Sequence, residues 1–169
     1  MSKICILVAS CNNNQKLGIK LEEIIQQNNS DVQLINLVDL NLPLYSTKEE
    51  ENGIPKNAIN LASTILEYKA FIVVAPEYNG VMPSVLNNAI AWSSRATKDW
   101  REAFNEKIVA LATHSAGGGA KGLQAMRSMF SHLGANVLSR EILTNYEKNL
   151  NEETAKNIIQ QLIRISSIN

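Results

Sequence analysis

The sequence predicts a doubly wound α/β fold: a three-layer sandwich in which a five-stranded parallel sheet, in strand order 2-1-3-4-5, lies between two layers of helices. Two observations predict it. Residues 4–9, 70–75 and 108–112 are nearly continuous apolar runs, the pattern of strands covered on both faces. Longer stretches with apolar residues at helical spacing separate them, so strand and helix alternate along the chain. Crossovers are expected to be right-handed. At 169 residues the chain has the length of one ordinary domain, expected to span residues 1–169.

Each element has its own warrant. The first strand is the run at 4–9. Leu17, Leu21, Ile24 and Ile25 then fall at i, i+4, i+7 and i+8, one face of a helix. Val32 and Leu34 alternate against Ile35 and Leu37, suggesting a second strand. Glu49-Glu50-Glu51 with Asn52-Gly53 reads as a solvated loop. A helix is expected over 55–67, starting near Pro55. The run at 70–75 is the third strand. Pro83 suits a first helical turn and opens a stripe of Val85, Leu86, Ala89, Ile90 and Trp92. Trp92 is expected in the core or in a subunit interface. The fourth strand is 108–112, followed by a helix carrying Leu123, Met126, Met129 and Phe130. A weaker fifth strand is expected over 135–141. Ala155, Ile158, Ile159, Leu162 and Ile163 mark the last helix.

Composition removes whole classes of function. Hydrophobic residues make up 45% of the chain and charged residues 19%, which argues for a packed core and against disorder. Sixteen basic and sixteen acidic residues cancel, so there is no cationic face of the kind that binds nucleic acid or membrane lipid non-specifically. No apolar run approaches the ~20 residues of a membrane helix. The residues before the first strand are too few for a signal segment, and the protein is expected to be cytoplasmic. Cys5 and Cys11 fit no disulfide framework, zinc site or CxxC motif.

In a doubly wound sheet, ligands sit beyond the carboxyl ends of the strands where strand order reverses. Four familiar chemistries fail there. A dinucleotide fold needs GxGxxG after its first strand, where this chain has Ala9-Ser10-Cys11-Asn12-Asn13-Asn14. Gly117-Gly118-Gly119-Ala120-Lys121 is not a P-loop. A low-molecular-weight phosphatase would place Arg six positions beyond Cys11, where Leu17 stands. A receiver domain would carry acidic residues where Ala9 and Pro76 lie.

Three loops remain. Ser10, Cys11, Asn12, Asn13, Asn14, Gln15 and Lys16 lie between a buried strand and a helix start, where backbone amides and the positive helix end suit a phosphate. The same residues also read as an Asn-rich cap. Pro76-Glu77-Tyr78-Asn79-Gly80 forms a rigid turn that lets backbone amides approach a planar ligand, or simply a well-packed loop. Ser115-Ala116-Gly117-Gly118-Gly119 follows the fourth strand. Three consecutive glycines suggest either a close approach of backbone to something or a flexible surface loop. His114 stands at a strand end, within reach of a ligand or serving as a structural histidine. His132 reads as a surface or cap residue.

Pro76-Glu77-Tyr78-Asn79-Gly80, followed by residues 83–95 (PSVLNNAIAWSSR), closely resembles the PEYNGS-P-LKNAIDW-SR signature of the NADPH-dependent FMN reductase family. Leu42-Pro43-Leu44-Tyr45 is similar to that family's LPLY segment, and residues 115–119 to its glycine-rich loop. The resemblance covers roughly residues 3–142. It implies a flavodoxin-like fold that binds FMN, takes electrons from NADPH or NADH and passes them to a small acceptor: a quinone, free flavin, chromate or azo compound. It implies a homodimer or homotetramer, in which the helix after PEYNG packs on a partner.

The flavin's phosphate is then expected at Ser10, Asn12, Asn14, Gln15, Lys16 and Leu17. The ring is expected beside Pro76, Glu77, Tyr78, Asn79 and Gly80, with Ser115, Gly117 and Gly118 at its other edge. No protein residue is expected to be catalytic in its own right, and no metal is implied. One departure stands out. The family's first loop resembles GSxRxxSxN, whereas this chain has Ala9 for the Gly, Asn12 for the Arg and Gln15 near the Ser. The phosphate loses a guanidinium fork and relies on neutral donors, the helix end and Lys16. Two other readings are an electron carrier without NAD(P)H chemistry, against which a net charge of zero weighs, and an interaction domain that binds no flavin.

Overall fold

Five successive apolar residues, Ile4 to Val8, have no solvent exposure because both faces of their strand are covered. That strand is β1 (Lys3–Val8), and it sits inside the sheet. The computed structural model describes residues 3–167. After β1 come α1 (Asn13–Gln27), β2 (Asp31–Asn36), α2 (Thr47–Glu50), α3 (Lys56–Leu66), β3 (Ala70–Val74) and α4 (Ser84–Ala96). The chain continues through β4 (Ile108–His114), α5 (Ala120–His132), β5 (Asn136–Val137), β6 (Ile142–Thr144) and α6 (Glu152–Ser166).

All the strand pairings are parallel, in the order β2-β1-β3-β4-β5, with β6 also on β4. The period of two divides the core. Ile4, Ile6 and Val8 with Ile72, Val74, Ala110 and Ala112 face Leu17, Leu21, Ile24 and Ile25 of α1 and Ile158, Ile159 and Leu162 of α6. Leu7, Phe71, Val73, Val109 and Leu111 face Leu61 and Ile65 of α3, Leu86 and Ile90 of α4 and Met126 and Phe130 of α5. Sheet and two helical layers follow as expected, as do four of the five strands.

Three details differ from the sequence reading. The fifth strand is broken into β5 and β6 and runs on to Thr144. Arg127 of α5 explains the break. Its Nη2 donates to Leu138 O at 2.8 Å, taking up a carbonyl that leaves the ladder, and its Nε donates to the Glu141 carboxylate at 3.0 Å. The acidic stretch is also not a plain loop. Residues 47–50 form one helical turn, capped where Ser46 Oγ accepts from Glu49 N at 3.0 Å, and Tyr45 Oη donates to Glu50 at 2.8 Å. That bond pushes the Tyr45 phenol above its ordinary pKa; burial adds to the shift and Arg95 opposes it.

The third detail concerns α4. Leu86, Ala89, Ile90 and Trp92 are buried against this chain's own core. Trp92 has no exposure, its Nε1 donates to Pro43 O at 2.7 Å, and Tyr45 meets it edge-on at 5.2 Å between centroids. Asn88 adds a bond to Pro43 O and accepts from Tyr45 N. Leu86, Ala89, Ile90 and Trp92 of the α4 stripe are thus used within the chain, while Val85 is only half-buried. Among the described residues no helix is long and apolar enough to cross a membrane.

Candidate active site

Adjacent parallel strands β1, β3 and β4 end together, so the loops after them share one edge of the sheet. Backbone bonds continue the pairing past the strand ends: Ala9 N donates to Val74 O at 2.9 Å and Ala75 N to Ala112 O at 3.1 Å. Three segments expected to meet one ligand are thus held side by side.

The turn at 78–81 is the most rigid of them. Tyr78 N and Val81 O, and Val81 N and Tyr78 O, bond at 2.9 and 3.0 Å. Both central residues have positive φ, 52° at Asn79 and 77° at Gly80, the pattern of a type I′ turn favoured by Asn-Gly. Tyr78 is half exposed and Pro76 is buried. Glu77 does something the sequence did not announce. Its carboxylate accepts from Gly122 N at 2.9 Å, which caps the start of α5 and ties this turn to the glycine loop. The stem of Lys121, also unforeseen, lies beside Gly80, about where a side chain there would reach.

The three glycines divide by role. Gly119 caps α5 with φ 71°, and a Cβ there would press on Thr113 and Ser115 at 3.0 and 3.2 Å. It serves the fold. Around Gly117 and Gly118 a Cβ would meet nothing within 4 Å, so these two border open space. Ser115 is buried, with its N–H on Thr144 O at 3.1 Å.

The first loop is held from outside. Asn36 Nδ2 donates to Ser10 O at 3.2 Å. Asn14 pairs both ends of its amide with the His114 backbone, donating to O at 2.8 Å and accepting from N at 2.7 Å. The Asn14 side chain is thus a strut between α1 and β4, and the Leu17 side chain is packed in the core. The amide of Lys16 is also spent, on Asn12 O at 3.1 Å. Helix geometry leaves the amides of Asn13, Asn14 and Gln15 pointing out of the first turn. The side chains of Asn12 and Lys16 are exposed, and Gln15 is partly so. No acidic residue lies in that turn.

His114 is hydrogen-bonded to the fold: Nδ1 lies 3.1 Å from Thr144 Oγ1, whose hydroxyl donates to Thr113 O. His132 is exposed and stacks near Trp100. Cys5 is buried, and that burial pushes its thiol up to about 12; Cys11 is exposed. Among the described residues no group of His, Cys, Asp and Glu could hold a metal.

Comparison with known proteins identifies the arrangement. The sequence pattern that defines the NADPH-dependent FMN reductases matches residues 2–148, most of the chain. The chain belongs to that family. The NAD(P)H-dependent FMN reductase of Pseudomonas aeruginosa is 29% identical over 141 residues, covering 77% of this chain and 75% of its own length. The quinone reductase of Escherichia coli is 33% identical over 102 residues, 59% of this chain and about half (53%) of that enzyme. Among solved structures, the flavoenzyme NAD(P)H:(acceptor) oxidoreductase FerB of Paracoccus denitrificans superposes with a TM-score of 0.80 over 99% of this chain and 98% of FerB. At 19% identity that likeness speaks for the fold, which is flavodoxin-like. Within this FMN reductase, the loops that carry the family signature are the ones that meet at the sheet edge.

The residues present fit an FMN. Gly117 and Gly118 border open space, the Asn79–Gly80 turn exposes its backbone on the same sheet edge, and outward amides with Lys16 suit a phosphate dianion.

Proposed function

We propose that this chain is a single-domain, FMN-dependent oxidoreductase of the cytoplasm that takes electrons from NADPH or NADH and delivers them to a small acceptor such as a quinone, free flavin, chromate or an azo compound. One observation carries the reading: three loops of ligand-binding type share the edge of adjacent strands, with Glu77 tied to the start of α5, Asn14 tied to the end of β4, and Gly117 and Gly118 bordering open space.

Bound FMN supplies the redox chemistry, which a side chain need not assist with a proton. The chain's residues bind and orient. Amides of residues 13–15, the Ser10 and Asn12 side chains and Lys16 hold the phosphate. The Tyr78, Asn79 and Gly80 backbone supports one edge of the ring. Ser115, Gly117 and Gly118 border the other, and Lys121 brings positive charge near Gly80. Glu77 contributes by positioning, because its carboxylate is used by Gly122. Tyr78 borders an open face that donor and acceptor occupy in turn, so ping-pong kinetics are expected.

A homodimer, or a pair of dimers, is proposed on the family resemblance and on the exposed Leu44, Tyr78 and Val81 beside the site. Isologous pairing is the usual arrangement. Titration with FMN, FAD and riboflavin, read by quenching of flavin fluorescence, tests the central reading. FMN should bind tightest. Equal affinity for all three would remove the phosphate site from residues 10–16, and no binding would leave the interaction-domain reading.

A further inference from the structure

The chain has as many basic as acidic residues, yet the two walls of the proposed ring site are not balanced. Residues 76–81 and 115–121 hold one carboxylate, Glu77, and one ammonium, Lys121. The carboxylate is spent. It accepts from Gly122 N at 2.9 Å, at the positive start of α5, whose first turn has no acidic residue. The ammonium is not spent: Lys121 is exposed, and among the described residues it has no ion-pair partner. Gly80 sets where that charge lies. Because Gly80 has no side chain, the Lys121 stem passes beside the turn, its Cδ 3.5 Å from where a Cβ on Gly80 would stand. A cation rooted on α5 is thus carried toward the opposite wall on a long apolar stem.

Two further features border the same edge. Gly117 and Gly118 face open space, and Tyr78 exposes an aromatic ring. Residues 10–16 add no carboxylate, and their one cation, Lys16, stands at the proposed phosphate site. Lys121 is therefore left for whatever enters the open face. A planar ring that carries a negative charge satisfies both the aromatic face and the unpaired ammonium.

We infer that this site selects an anionic quinone as electron acceptor, one bearing a sulfonate, a carboxylate or an ionised hydroxyl, and that Lys121 is the residue that selects it. The inference rests on the flavin reading above and names the acceptor class of that same site. The reduction itself balances without Lys121: NAD(P)H supplies a hydride, solvent supplies a proton, and the quinone leaves as the hydroquinone, two electrons and two protons richer. Lys121 pairs with the charged substituent and moves no proton.

The FMN-loaded protein, assayed with naphthoquinone and with naphthoquinone sulfonate, tests this. The sulfonate alters the quinone's own reactivity, so what is read is how the ratio of the two kcat/KM values changes between variants. Lys121→Gln should lower the sulfonate-over-neutral ratio by roughly three- to fivefold, the scale of an exposed ion pair. Lys121→Arg should keep most of the ratio. Lys98→Gln, which removes an exposed lysine between α4 and β4, should leave it unchanged. Added salt should shrink the preference of the unmodified chain. A second reading needs no turnover. Naphthalene sulfonate, which is not reduced here, should perturb the visible band of bound FMN at lower concentration than naphthalene methanol, and Lys121→Gln should erase that difference. An unchanged ratio in Lys121→Gln, or an equal fall in Lys98→Gln or Lys121→Arg, overturns the proposal while the flavin reading stands. Failure of the unmodified chain to bind FMN overturns both.

Discussion

The turn at 76–81 and the loop at 9–12 sit side by side at the sheet edge, yet they are built in opposite ways. The turn satisfies itself: two reciprocal backbone bonds close it, and Asn79 and Gly80 supply the positive φ it needs. The first loop has little of its own, a single long contact from Asn12 N to Ser10 Oγ at 3.4 Å and no side-chain cap. Its shape is imposed by Asn36 and by the Asn14–His114 strut, from 26 and 100 residues away. A self-contained turn makes a fixed wall for a planar ring. A loop held from outside keeps its own donors for a ligand.

The difference can be broken most severely at Gly80. Gly80→Val forces a β-branched residue into φ 77° beside Lys121, and it should abolish FMN binding. Flavin titration alongside a thermal melt checks this, since the fold should survive while binding does not. Retained FMN affinity would mean that the turn does not touch the ring.

Asn14→Ala tests the other side. It leaves the His114 N–H and C=O without their partner and should cost about 2–3 kcal/mol of stability, measured by urea unfolding. A cost near zero would show that the first loop does not depend on the strut. Asn12→Arg should sharpen the contrast. Restoring a guanidinium to the first loop is expected to tighten FMN about tenfold and leave riboflavin unchanged, by equilibrium dialysis.

The smallest effect is expected at Glu77. Glu77→Ala removes the acceptor for Gly122 N, at about 1–2 kcal/mol, whereas Glu77→Gln keeps an acceptor and should recover most of it. The FMN visible spectrum should shift in the alanine variant alone, because the two walls then lose their register. Equal behaviour of both variants would contradict the positioning role.

This contrast also explains what the sequence disclosed. Elements set by local pattern were legible: the buried runs became β1, β3 and β4, the helical stripes became α1, α3, α4, α5 and α6, and Asn-Gly became its turn. Contacts set by distant residues were not. Nothing in the periodicity of α5 marks Arg127 as the residue that breaks the fifth strand, or Gly122 as the donor to Glu77. The strut from Asn14 to the His114 backbone was not legible either, because Asn serves equally at caps, ligands and struts. Nor could the sequence show that residues 42–45 fold back to receive Trp92 and Asn88 of α4.

The reductase reading meets its most direct test in anaerobic stopped-flow mixing of the FMN-loaded protein with NADPH or NADH, followed at the flavin's visible band. The account predicts bleaching within the time of a catalytic turnover by at least one of the two, and return of colour when a quinone is added. Tight FMN binding with no bleaching by either nucleotide over minutes would contradict it and make the protein an electron carrier instead.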